Sequence, residues 1–266
     1  MGVNIIRSLH GPAPLHHALI AGDKHIGVSL QTLHPSKFDQ GMLLDQTPLP
    51  GFEIPNDGQI TVPQLLDFVT PKAADILLKG VKNRVFAPPV RALTPKITKN
   101  VRHAPKITTD DRYVNMRKAS FDEVLRCHRV LGRLWTTLVL PDGSKKRISF
   151  EDFTPVPQPE VWKQFMSFLK EQVRARTPSK DMVIDPELNQ QIHEMHFIDG
   201  ESGTALVLPY LRDENNAVIF IELMGKGALR VEQITMEGSK KKPAFDVLQG
   251  PDSSSWFFFP LPFDIF

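Results

Sequence analysis

Leu9-His10-Gly11-Pro12-Ala13-Pro14-Leu15-His16-His17-Ala18-Leu19-Ile20-Ala21-Gly22-Asp23, with the segment running on to Phe38-Asp39-Gln40-Gly41-Met42-Leu43-Leu44, decides the fold of the first part of the chain. Pro12 and Pro14 suit a helix start, because proline has no N–H to lose in the first turn, and Gly22 suits the left-handed residue that ends a helix. A helix is therefore expected over about residues 13–21. From Val28 to Leu33 the chain alternates, with Val28, Leu30 and Thr32 on one face and Ser29, Gln31 and Leu33 on the other, as a half-buried strand does. Met42 to Leu44 reads as the next strand. Between the two strands, Pro35, Ser36 and Gly41 make a loop that presents Asp39 at a sheet rim, where open α/β sheets bind ligands. An aspartate before Gln-Gly is also a common turn former that bonds nearby backbone N–H groups.

Taken together, Gly11-Pro12-Ala13-Pro14, then Gly22-Asp23 ahead of Gly27-Val28-Ser29-Leu30-Gln31, then Asp39-x-Gly41-x-x-Leu44 resembles the second half of the catalytic domain of the methionyl-tRNA formyltransferases. The resemblance implies transfer of a formyl group from 10-formyltetrahydrofolate to the amino group of methionine on initiator tRNA, by an Asn, a His and an Asp. Asp39 falls on the family's catalytic Asp, and His10, Gly11, Pro12, Ala13, Pro14 and Gly41 on its substrate- and cofactor-binding stretches. The family's Asn-x-His-Pro-Ser segment has no counterpart here. Counting back from Gly11 sets its His at Gly2 and its Asn ahead of Met1. The expectation is thus an enzyme lacking the first part of its catalytic domain, with very low turnover.

The 266 residues allow two ordinary domains, and 41% hydrophobic with 23% charged residues is a globular composition. Net charge is only +2, so the distribution of charge carries more than its sum. A single cysteine, Cys127, excludes an intrachain disulfide and a multi-cysteine zinc site. His10, His16, His17, His25 and His34 crowd the first region without metal-ligand spacing, and no metal is expected. No apolar run approaches a membrane span, and neither a signal peptide nor a transit segment is visible.

Thr61 caps a helix with Pro63 in its first turn and Leu65, Leu66 and Val69 facing inward. Thr70-Pro71 reads as the start of a second, with Ala74, Leu77, Leu78 and Val81 on its buried face. From Ile76 to Thr109 there is no acidic residue and there are eight basic ones, among them Arg84, Arg91, Lys96, Lys99 and Arg102. Four prolines are spread through the same stretch, so residues 85–106 read as an extended basic linker. Clustered Lys and Arg are what phosphate contacts require, though a cationic linker can equally be solvated.

Ile107 to Arg112 resembles the segment opening the family's C-terminal domain. Ser120-Phe121-Asp122-Glu123 is a capping box, followed by Val124, Leu125, His128 and Leu131 on one face and ended by Gly132. Leu134 to Leu140, Pro141-Asp142-Gly143-Ser144 and Lys145 to Phe150 form a hairpin. This helix and hairpin are similar to the start of the family's OB-like barrel. Residues 155–200 read as an insertion holding an amphipathic helix marked by Trp162, Phe165, Phe168, Leu169 and Val173, with strands resuming at Thr204. Ala228 to Thr235 looks like the closing strand, followed by a basic loop with Lys240, Lys241 and Lys242.

The expected fold is α/β: a truncated Rossmann-like formyltransferase domain over residues 1–84, the linker, an OB-like β-barrel over 107–249, and an unassigned aromatic and proline-rich tail over 250–266. Candidate tRNA contacts are Arg84, Arg91, Lys96, Lys99, Arg102, Lys145, Lys146, Arg147, Lys240, Lys241 and Lys242. The resemblance implies a monomeric, mitochondrial, eukaryotic-type protein that works on initiator methionyl-tRNA without a membrane. Two other readings stay open: a non-catalytic tRNA-binding chain, and another 10-formyltetrahydrofolate enzyme such as the hydrolase or an amino-sugar formyltransferase. No Gly-x-Gly-x-x-Gly follows a strand, which disfavours a dinucleotide-dependent dehydrogenase.

Overall fold

A computed structural model describes residues 2–4, 9–34, 36, 41–93, 102–140, 142–174, 191–221 and 227–248. The chain divides into two compact units, residues 1–111 with 129–131, and residues 112–128 with 132–266.

In the first unit the elements run β1 (Gly2–Asn4), β2 (Leu9–His10), α1 (Pro14–Ile20), β3 (His25–Ile26), β4 (Ser29–Gln31), β5 (Leu43–Gln46), β6 (Phe52–Glu53), α2 (Val62–Lys82) and β7 (Arg102–His103). Helix α1 begins at Pro14 and ends at Ile20, and Gly22, just past its Ala21 cap, has the left-handed φ of +69° anticipated for it. Strands β1, β4 and β5 form an antiparallel sheet, with Leu30 opposite Val3 on one side and Asp45 on the other. Among the described residues, the parallel pairing in this unit is the short match of β2 with β7. Leu15, Leu19, Ile26, Val28, Ile54, Ile60, Leu65 and Val69 make the core, and α2 lies so close to β4 that a Cβ on Gly80 would stand 2.4 Å from the Leu30 side chain.

The pair of helices expected from Thr61 onward is a single helix. Thr61 and Gln64 complete a capping box at its start, and Pro71 sits inside it. Proline costs a helix its i→i−4 bond, here to the Asp67 carbonyl. Both Asp67 and Pro71 are exposed, so water can take that carbonyl. With one continuous period, the inward side is Leu65, Val69 and Gly80. Leu66, Leu78 and Val81, expected inside, are instead 45%, 56% and 45% exposed.

The second unit holds α3 (Phe121–Leu131), whose last residues 129–131 cluster with the first unit, then β8 (Leu134–Val139), β9 (Lys145–Phe150), β10 (Thr154–Val156), α4 (Glu160–Arg174), β11 (Ile192–Ile198), β12 (Ala205–Arg212), β13 (Val218–Ile221), β14 (Ala228–Val231), β15 (Gln233–Met236), β16 (Lys242–Pro243) and α5 (Ala244–Leu248). The Ser120 and Glu123 capping box and the β8–β9 hairpin, with Leu134 opposite Phe150, form as the sequence predicts. The strands make one antiparallel sheet in the order β10-β14-β13-β12-β11-β8-β9-β15-β16. No pairing among the described residues closes it into a barrel. The expected closing strand is broken at Glu232 into β14 and β15, second and eighth in that order. One residue spans only about 3.5 Å, so the sheet must coil back on itself there. Phe150, Phe197, Tyr210 and Phe220 are buried together, with Phe150 and Phe220 edge to face at 5.9 Å. Within the stretch read as an insertion, β10 and β11 belong to the sheet, and α4 lays Trp162 and Phe165 on Ile192, Leu211 and Ile221.

The turn joining β11 to β12 is held by Asp199, whose buried carboxylate accepts from Lys118 Nζ (2.8 Å), Ser202 Oγ (2.8 Å), Asn115 Nδ2 (3.0 Å) and the Glu201 backbone N–H (3.3 Å). The Lys118 bond, then the Ser202 bond, hold its carboxyl well below the ordinary carboxylate range. A depressed folded-state pKa contributes stability that is present above the unfolded value, near 4, and is lost as pH falls. Asp199→Asn is therefore expected to lower the melting temperature at neutral pH and to flatten its fall from about pH 5 to pH 3. Parallel pH curves for the variant and the unaltered chain, measured by circular dichroism, would contradict this.

Candidate functional site

The Gly-Pro-Ala-Pro stretch is held by a segment expected to be linker. His10 lies opposite His103 in the β2–β7 pair, the Ala104 N–H donates to the His10 carbonyl (2.7 Å), and the Ala13 N–H donates to the Ala104 carbonyl (3.2 Å). Gly11, at φ +133°, lets the two backbones meet, since a Cβ there would stand 2.3 Å from the Ala104 oxygen. His17 Nε2 donates to the Pro105 carbonyl (3.1 Å), and burial followed by the neighbouring His17 pushes the His16 imidazole down, toward its neutral form. Arg102 closes an ion pair with Asp23. Of the expected binding residues here, Ala13 is buried, His10, Gly11 and Pro14 are half-buried, and Pro12 is exposed.

The root of the β4–β5 loop is equally well defined. The Thr32 N–H donates to the Met42 carbonyl (2.9 Å), the Met42 N–H donates to Thr32 Oγ1 (2.8 Å), and Gly41 passes so near that a Cβ would lie 1.6 Å from the Thr32 carbonyl oxygen. Asp39 lies outside the described residues, as do Lys96 and Lys99 of the expected linker.

Two of the basic groups converge. Strand β15 runs antiparallel to β9, with Met236 opposite Ile148, and the Glu237 N–H donates to the Arg147 carbonyl (2.8 Å). Past Met236 the chain meets Arg147 at Glu237, turns back through the Ser239 N–H bond to the Met236 carbonyl (2.9 Å), and enters β16 beside β15 through Lys240, Lys241 and Lys242, with Lys242 opposite Ile234. Six cations thus gather at one end of the β9-β15-β16 part of the sheet, with Lys145, Lys146, Lys240, Lys241 and Lys242 exposed. The Glu237 carboxylate accepts from the Arg147 N–H (3.4 Å). Arg84, at φ +51° after α2, and Arg91 are exposed on the first unit.

Sequence reasoning missed the aromatic pair beside this patch. The Arg147 guanidinium lies 4.3 Å from the centre of the Trp135 ring, and Trp135 meets Tyr113 edge to face at 5.1 Å. The signal was available, because an Asp-Gly turn fixes the hairpin register that sets Arg147 opposite Thr137 and diagonal to Trp135. Among the described residues, no three His, Cys, Asp or Glu side chains are placed to hold a metal, and no helix is long and apolar enough to cross a membrane.

No family model matches the chain. It is 31% identical over 139 residues to the mitochondrial methionyl-tRNA formyltransferase of Saccharomyces cerevisiae, covering 47% of this chain and 34% of that protein. To the mitochondrial methionyl-tRNA formyltransferase of Mus musculus it is 28% identical over 122 residues, covering 46% of this chain and 30% of that one. The chain thus spans about a third of the length of the curated relatives it matches. Among solved structures, HypX from Aquifex aeolicus in complex with tetrahydrofolic acid superposes with a TM-score of 0.46 and 16% identity, over 92% of this chain and 34% of that one, too loosely to assign a fold by. Over the stretch it shares with these sequences, the chain is similar to the mitochondrial methionyl-tRNA formyltransferases.

Proposed function

We propose that this chain serves formylation of methionyl initiator tRNA from 10-formyltetrahydrofolate in mitochondria, and that the part of the task its 266 residues carry is holding the tRNA. The observation behind this reading is the convergence of Lys145, Lys146 and Arg147 with Lys240, Lys241 and Lys242 on one end of a sheet. Clustered cations of this kind supply the sequence-independent affinity of nucleic-acid binding, and Arg84 and Arg91 add to it on the first unit. In the reaction, the methionyl amine nitrogen attacks the formyl carbon, a new C–N bond forms, and the tetrahedral oxyanion collapses as the folate nitrogen leaves and takes a proton. Donors aimed at that oxyanion lower the barrier. The role assigned to Asp39 is to manage the proton leaving the amine, as a positioned carboxylate can. The family's Asn and His have no counterpart in the sequence, and their roles stay unfilled by residues 1–266.

The test is a formylation assay with methionyl initiator tRNA and 10-formyltetrahydrofolate beside a tRNA titration at two salt concentrations. Binding that weakens steeply with salt is expected, with turnover at background. Turnover at a normal rate would overturn the assignment of the missing pair, and absence of salt-sensitive binding would overturn the tRNA reading. Binding without turnover also fits the non-catalytic reading. Addition of the relatives' catalytic half to the assay separates the two, because only an enzyme part regains activity.

A further inference from the structure

Alternation divides the β8-β9-β15 part of the sheet into two faces. Leu134, Leu138, Ile148 and Phe150 are buried on one, and Trp135, Thr137, Arg147, Ser149 and Thr235 stand half-buried on the other. The register sets Trp135 opposite Ser149, which lies opposite Thr235 in turn, and sets Thr137 opposite Arg147. One large ring is thus bordered by short hydroxyl side chains, and the Arg147 guanidinium lies over it at 4.3 Å. The ring is braced. Its backbone carbonyl accepts from the Val114 N–H (2.9 Å), and Tyr113, edge to face with it, donates its own hydroxyl to the Ile198 carbonyl (3.0 Å) and accepts from the Gly200 N–H (2.7 Å). Arg147 differs from the arginine nearest to it in the hairpin. Arg133 is paired with Glu151 (3.0 Å), whose carboxylate also accepts from the Thr235 hydroxyl (2.6 Å). Glu237 takes the backbone N–H of Arg147, and no carboxylate among the described residues pairs with its guanidinium. A guanidinium is planar and weakly hydrated, so a ring on one side leaves its second side able to receive another flat group. Both lysine clusters lie near. Lys145 is two residues from Arg147 on β9, and Leu134, Phe150, Ile234 and Lys242 form the row of the sheet next to that of Trp135, which sets Lys242 three strand spacings away, about 14 Å.

We propose that Arg147, held over Trp135, is a stacking platform for one unpaired nucleobase of the RNA whose phosphates the two lysine clusters hold. The inference rests on the tRNA reading and adds to it a preference for unpaired nucleotides. A nucleotide is the occupant the chemistry selects. It must be flat to cover a guanidinium, and it must carry negative charge to suit a site with exposed lysines on both sides. Inside a duplex both faces of a base are taken by its neighbours, so only an unpaired base offers one. The hydroxyls of Thr137 and Ser149 leave room beside the ring and can donate or accept at a base edge, which makes the platform tolerant of base identity.

Fluorescence anisotropy of the full chain with two labelled RNAs of equal phosphate count, a single-stranded oligoadenylate and a blunt-ended duplex, tests it. Arg147→Lys keeps the charge and removes the plane. It is expected to weaken binding of the single strand about fivefold or more, since one stacked base is worth roughly 5–150-fold, with the salt slope and the duplex affinity unchanged. Trp135→Leu should produce the same loss, and the double variant no more than either alone, because ring and guanidinium act as one unit. The Arg147→Lys comparison decides even where Trp135→Leu fails to fold. Weakening of both RNAs alike, or of neither, by Arg147→Lys would overturn the platform and leave the cations as a phosphate patch. Absence of salt-sensitive binding of either RNA by the unaltered chain would instead overturn the tRNA reading, and the platform with it.

Discussion

Gly41→Ala is expected to destabilise the first unit by about 3 kcal/mol or more, beyond the usual cost of overpacking, because the new methyl meets a backbone atom that has nowhere to go. Its Cβ would stand 1.6 Å from the Thr32 carbonyl oxygen, on a segment pinned by the Thr32 and Met42 hydrogen bonds and continuous with the fully buried Leu30. At about 4–8 °C per kcal/mol for a domain of this size, the first unit should melt more than 10 °C lower. Gly143→Ala is the matched control. Gly143 has φ +79° but nothing within 4 Å of its Cβ position, so only backbone strain of about 1 kcal/mol applies. Equal melting shifts for the two variants would show that the close approach at Gly41 does not set the cost.

Local chemistry was the part of this fold most open to reading from sequence. The Pro14 start and Gly22 stop of α1, the capping box at Ser120 and the Asp-Gly hairpin each depend on a few neighbouring residues, and each forms. Pro71 misled because proline usually marks a helix boundary. Exposure of both Asp67 and Pro71, which lets water take the carbonyl left without its partner, removes most of that penalty, and that exposure depends on tertiary context. The apolar residues of α2 misled in another way. Periodicity finds two apolar sides and cannot say which is covered, and only the packing on Leu30 and the core identifies Leu65 and Val69 as the inward pair. Arg102 was indistinguishable from its basic neighbours. Its partner Asp23 lies 79 positions away, and nothing local predicts that β7 will lie against β2. The two lysine clusters were visible singly, but their union needed the register of β15 on β9.

That union yields the second large expectation. Replacing Lys145, Lys146, Lys240 and Lys241 together with alanine should reduce the slope of log affinity against log salt by about three to four and weaken tRNA binding roughly 100-fold or more at low salt, at close to one unit of slope for each phosphate left without its cation. All four side chains are exposed, so the melting temperature should hardly move. Arg102→Ala separates a phosphate-binding cation from one that merely occurs in a basic segment. Its guanidinium is already paired with the half-buried Asp23, so the expected outcome is lower stability of the first unit with an almost unchanged salt slope. An unaltered slope in the fourfold variant would remove the patch as the tRNA surface. A large loss of slope in Arg102→Ala would place the tRNA along the stretch from Arg84 to Arg102 instead. The two measurements share one titration, and they divide because a counterion is released only by a cation that is free to meet a phosphate.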